Sequence, residues 1–172
     1  MQKIKIPAFL LLISILLIWQ ACQPDNSSDS PAVENAVKKT YAVPKFERDS
    51  AFHYLEKQLE FGPRVLGTEA SKNCKDWLVE KFETFGATVI EQTFDATVYT
   101  GQTFKATNII AQFNPKAQKR ILLGAHWDSR HIADSPLSTE RKDEAILGAD
   151  DGGSGVAVLL EVARALGNNP MD

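Results

Sequence analysis

The residues best suited to chemistry stand in two short segments joined by a polar stretch from Ser129 to about Ile146. The first is Ile121-Leu122-Leu123-Gly124-Ala125-His126-Trp127-Asp128-Ser129, an apolar run ending in a His-x-Asp pair. The second, Gly148-Ala149-Asp150-Asp151-Gly152-Gly153-Ser154-Gly155, opens an apolar helix. Imidazole nitrogen and carboxylate oxygen are donors that zinc accepts. Two positions apart on an extended segment, His126 and Asp128 point to the same side, and the carboxylate can fix the imidazole's tautomer. Alone, the pair also reads as a surface ion pair. An Asp ahead of a helix likewise reads as an N-cap, but two adjacent Asp residues exceed what a cap needs and leave one for a cation. Gly152, Gly153 and Gly155 permit a turn that bulkier residues would obstruct. Placed at consecutive strand ends, the two segments together point to a metal site.

The elements that must hold these segments follow from hydrophobic periodicity. Asp49 or Ser50 can cap a helix with Phe52, Leu55 and Leu59 facing inward, ended by Gly62-Pro63. A second helix is predicted from about Glu69 to Phe85, with Cys74, Trp77, Leu78, Phe82 and Phe85 on one face and Gly86 as its stop. Residues 87–95 and 103–113 read as strands turning at Gly101, and Asn114-Pro115 breaks the second. Ile121 to Ala125 is apolar without alternation, which suits a central strand covered on both faces. Its C-terminal end would then project His126 and Asp128 into the crevice where open α/β sheets bind ligands. A last helix spans roughly Ser154 to Leu166, with Val156, Leu159, Leu160, Val162 and Ala163 inward. The order predicts an α/β sandwich of which this sequence holds the first part.

Composition is ordinary for a globular domain: 172 residues, 44% apolar, 24% charged, net charge −3. No Lys/Arg stripe is available to neutralise phosphates, so a nucleic-acid partner is not expected. Lys116, Lys119 and Arg120 read as a solvated turn. Residues 1–22 have the form of a secretory signal, with Lys3 and Lys5 ahead of the apolar run Ile6–Trp19 and small Ala21 before Cys22. Cys22 in that position resembles the lipidated Cys of a bacterial lipoprotein, although Trp19 stands where Leu is usual; a plain signal peptide or an uncut anchor is the alternative. With Cys22 lipidated, Cys74 has no disulfide partner and reads as a buried, inert thiol. Residues 23–44, rich in Ser, Asn, Asp and Pro, form a flexible tether, and 45–172 the folded domain. The expected location is the periplasmic or outer face of a bacterial membrane, reached by a lipid anchor.

Several motifs occur in an order and spacing similar to the zinc aminopeptidase and glutaminyl cyclase superfamily. They are Phe61-Gly62-Pro63-Arg64-Val65-Leu66-Gly67, Thr107-Asn108-Ile109-Ile110, Asn114-Pro115, Arg120 to Ser129, and Gly148 to Gly155 leading into Glu161-Val162-Ala163-Arg164-Ala165-Leu166. The chain most resembles the N-terminal half of Bacteroidetes-type glutaminyl cyclases. The resemblance implies a three-layer α/β/α sandwich with a mixed central sheet, present here only in part, and zinc at the strand ends. It makes Asp151 the metal-binding aspartate, places Asp150 at a variable position, and gives Asp128 a supporting role behind the site. His126 would be a ligand only in the two-metal aminopeptidase alternative.

The implied reaction is cyclisation of an N-terminal Gln of a peptide or protein. Its α-amine attacks the zinc-polarised γ-amide carbon, a Glu shuttles the proton, and ammonia leaves. The remaining Glu and His ligands and the general-base Glu would lie beyond Asp172, so the expectation for the chain by itself is an incomplete, inactive site. A zinc aminopeptidase is the alternative within the superfamily, and a non-catalytic membrane-tethered binding module the alternative outside it.

Overall fold

The structure, a computed structural model, describes residues 43–169. The signal, Cys22 and nearly all of the tether lie outside them. Helix α1, Arg48–Glu60, starts slightly earlier than its Asp49 or Ser50 cap predicted. Its first turn is held from a distance, because the backbone N–H of Glu47 donates to Glu161 Oε1 at 2.8 Å. The inward face of α1 carries Ala51 and Gln58, while Phe52, expected inside, is 61% exposed. Helix α2, Glu69–Thr84, is capped by the Thr68 side chain, which accepts from Ser71 N–H. That bond satisfies one of the amides a helix start leaves without an intrahelical partner.

Strands β1, Thr88–Thr97, and β2, Thr103–Gln112, form an antiparallel hairpin with Thr88 opposite Gln112 and Thr97 opposite Thr103. Its turn uses Gly101 at φ 84°, a conformation that costs glycine little. Helix α3, Ser154–Asn168, completes the set. The core lies where α2 meets α3: Cys74 and Leu78 pack with Val156 and Leu160, surrounded by Tyr54, Phe61, Trp77, Phe82, Phe85, Ile109 and Trp127. Burial pushes the Cys74 thiol up to about 11, so it stays protonated, as an inert core thiol should.

The expectation of a central strand at 121–125 needs correction. Among the described residues no strand lies beside this segment, and the sheet is the β1–β2 hairpin alone. Ile121 is 90% and Leu122 92% exposed. An apolar run becomes a buried strand only when neighbours supply ladder partners and cover for both faces; here it has neither. The architecture is the α/β type, present in part.

Candidate functional site

The segment after Ala125 turns back onto the core, and two polar side chains fix it there. Arg64, fully buried, donates from Nε to the Trp127 carbonyl at 2.9 Å, from Nη1 to that of Leu147 at 2.7 Å and from Nη2 to that of Gly148 at 2.9 Å. Burial pulls its guanidinium below the usual arginine value, against the opposing pull of Cys74 and Asp128. Gln58, also buried, donates from Nε2 to the carbonyls of Tyr54 and Gly153, both at 3.1 Å. In this way α1 is tied to the glycine-rich turn.

That turn, Ala149–Gly153, is wide, with non-helical φ/ψ at Asp151 and Gly152. Asp151 is thereby swung out of the helical path, and α3 begins without a side-chain cap. The N-cap reading of the two Asp residues is therefore not what the turn uses them for. Gly152 adopts φ 95°, and a Cβ there would sit 2.9 Å from both the Asp128 carbonyl oxygen and His126 Cε1. Only glycine lets the two segments approach this closely.

The approach brings three of the sequence-predicted residues together. His126 Nδ1 lies 3.2 Å from Asp128 Oδ1, and His126 Nε2 lies 3.1 Å from Asp151 Oδ1. A neutral imidazole that donates from Nδ1 to Asp128 presents the Nε2 lone pair beside the Asp151 carboxylate. The second oxygen, Asp151 Oδ2, faces Arg130 Nε at 3.3 Å, and Arg130 also holds Asp134 at 2.6 Å. Asp150 is exposed and contributes its backbone carbonyl, which accepts from Ser154 Oγ at 2.8 Å. All of the facing side chains are about half open to solvent, so a ligand could reach them.

Two ligands on a tetrahedral zinc sit about 3.3 Å apart, given metal–ligand bonds of about 2.0 Å. The His126–Asp151 separation matches one such edge. A catalytic zinc takes about three protein ligands, and among the described residues no group of three or more His, Cys, Asp or Glu is arranged to hold a metal ion, Asp128 being turned to the far side of the His126 ring. The pair is one edge of a metal polyhedron rather than a whole site.

Arg64 and Gln58 were not among the residues the sequence singled out as site-forming. Gln58 left a signal, since it lies three positions after Leu55 and seven after Ala51, on the apolar stripe of α1. Arg64 stood inside the Phe61–Gly67 motif, but its buried role left no signal, because a buried arginine between helices looks like an exposed one.

Residues 108–172 match the sequence profile of peptidase family M28. The matched stretch holds both candidate segments, 121–129 and 148–155. Three solved structures share its fold at substantial identity. A leucine aminopeptidase precursor from Bacteroides thetaiotaomicron is 43% identical, with a TM-score of 0.74 over 77% of this chain and 46% of that one. A Zn-dependent exopeptidase from Parabacteroides distasonis is 46% identical, TM-score 0.72, over 75% and 44%. Porphyromonas gingivalis glutaminyl cyclase is 44% identical, TM-score 0.72, over 76% and 45%. The chain thus spans less than half the length of each of these relatives.

Proposed function

We propose that this sequence belongs to a zinc-dependent enzyme acting on peptide N-termini, specifically a glutaminyl-peptide cyclotransferase. The observation that carries the zinc reading is the Asp151 carboxylate, which the turn swings out of the helical path to face His126 at 3.1 Å, with Asp128 oriented on the far nitrogen of the ring. The relatives divide between cyclase and exopeptidase, and the Phe61–Gly67 segment with Asn114-Pro115 favours the cyclase. Asp151 is the assigned metal ligand and Asp128 the residue that orients His126.

A zinc aminopeptidase is the second reading, favoured by one observation: His126 Nε2 stands within co-ligand distance of Asp151. Metal content separates the two, since a cyclase holds one zinc per protein and the aminopeptidase two. The decisive assay incubates the zinc-loaded, full-length protein with peptides beginning in Gln and in Leu. Ammonia release from the first with no cleavage of the second supports the cyclase; release of free Leu establishes the aminopeptidase. Asp151→Ala should remove at least tenfold of the zinc affinity, since one of about three ligands is lost. Full metal occupancy in that variant, read by elemental analysis, would falsify the ligand assignment.

Residues 1–22 support export and a lipid anchor on Cys22, read from sequence alone. Among the described residues no helix is long and apolar enough to cross a membrane. Mass spectrometry of the mature N-terminus checks this: a diacylated Cys22 is expected, and an unmodified terminus elsewhere removes the anchor.

A further inference from the structure

Arg64 combines two properties that do not fit an ordinary structural residue. It is fully buried, yet none of its hydrogen bonds ends on a carboxylate; all three end on backbone carbonyls. A buried guanidinium paired only with neutral dipoles is a costly way to fill space, and a well-packed apolar side chain of similar volume often serves stability better. What the guanidinium offers instead is a rigid, planar fork. Here the fork reaches two separate segments. Nε holds Trp127, the residue between His126 and Asp128, while Nη1 and Nη2 hold Leu147 and Gly148, just ahead of Asp150 and Asp151.

The backbone of Arg64 adds a fourth link, since its carbonyl accepts from Ser129 N–H at 3.2 Å. Chain connectivity cannot fix the spacing of the two segments, because the long loop from Ser129 to Ile146 separates them. The backbone bond that joins them directly, Ile146 N–H to Arg130 O at 3.2 Å, sits at the outer ends of both. The inner ends, where the candidate ligands lie, meet through the buried Arg64, through the half-exposed Arg130–Asp151 ion pair and through the close contact of Gly152 with the His126 ring.

We propose that Arg64 is a positioning residue that sets the His126–Asp151 separation by clamping both segments to one guanidinium plane. This rests on reading that pair as a metal-binding edge, and it adds a residue that touches neither the metal nor the substrate. Lysine, with a single ammonium on a flexible stem, cannot hold three carbonyls in fixed directions.

Amide hydrogen exchange on the 172-residue chain tests the clamp without any metal. In Arg64→Met, protection of Ser129 N–H and Gly153 N–H should fall together by about tenfold or more, while the amides of α2 stay as protected as in the wild type. Arg64→Lys, the milder change, decides the matter if the Met variant does not fold, and should loosen the same two amides to a smaller degree. Unchanged protection at either amide overturns the clamp. So does a uniform loss across α1, α2 and α3, which would make Arg64 a general stabiliser.

A parallel titration with cobalt(II) keeps the two ideas apart. The titration uses the full-length protein freed of metal: if it gives no cobalt absorption band while the 172-residue chain shows the paired loss of protection, the metal reading fails and the clamp stands. If cobalt binds and Arg64→Lys weakens it about tenfold, both stand. If cobalt binds equally well to the Lys variant, the clamp does not set the edge.

Discussion

Asp151 divides its two carboxylate oxygens between His126 and Arg130, and that division has a consequence for any cation that arrives. The guanidinium occupies one oxygen and adds positive charge beside the edge. Because this ion pair is about half exposed, solvent screens it and leaves it weak. Arg130→Ala should therefore raise zinc or cobalt affinity by a small factor, about two- to fivefold, in a calorimetric titration. Affinity that drops instead would mean that Arg130 supports the carboxylate's orientation rather than competing for it. At this scale the sequence was legible where residue type implies chemistry: His126, Asp128 and Asp151 were marked, and the structure brings them together. Arg64 was illegible because burial is a property of the fold, not of the residue.

The helices and the hairpin match their sequence boundaries to within about two residues, since their signals are local: Gly62, Gly86 and Gly101 at positive φ, and the apolar stripes of α2 and α3. The segment 121–125 was misread because an apolar run specifies burial only if something covers it. One contact between elements is open to a pH test. Glu161, fully buried on α3, accepts both arms of Arg164 at 2.7 Å and the Glu47 N–H that starts α1. Arg164 foremost holds its carboxyl below the ordinary glutamate value of 4.5, with burial opposing and the Glu47 amide assisting. A carboxylate depressed in the native state adds stability that is fully present above its unfolded pKa and is lost as pH falls through the lower native one. Thermal unfolding should show this contribution fade from about pH 4.5 downward. Glu161→Gln should remove about 1–3 kcal/mol at neutral pH and flatten that acid limb. A variant whose acid limb is as steep as the wild type's would assign the pH dependence to other carboxylates.

At the scale of the whole molecule, the most exposed large apolar residues among those described are Ile121 and Leu122, at 90% and 92%. They precede the candidate site and have no ladder partner among the described residues. Backbone without a ladder partner, flanked by exposed apolar side chains, templates pairing with other chains. The isolated chain should self-associate at micromolar concentration, and Ile121→Lys with Leu122→Lys should shift it toward monomer in sedimentation velocity. No shift would move the sticky surface elsewhere, for example to Phe46, Phe52 and Val158 at the α1–α3 face.

Trp127 makes the site optically visible. Its indole N–H donates to the Thr107 carbonyl at 3.1 Å, and its ring packs partly buried against the core, while its immediate neighbours in sequence are His126 and Asp128. The fluorophore is thus bolted to β2 and its backbone to the metal edge. With Trp77 replaced by Phe, the tryptophan emission of the described residues comes from Trp127 alone. Open-shell cobalt bound at the edge should quench that emission in a saturable way, whereas zinc, which has a filled d shell, should leave it nearly unchanged. The fold therefore supplies its own gauge of whether the edge is filled, one that needs neither substrate nor turnover.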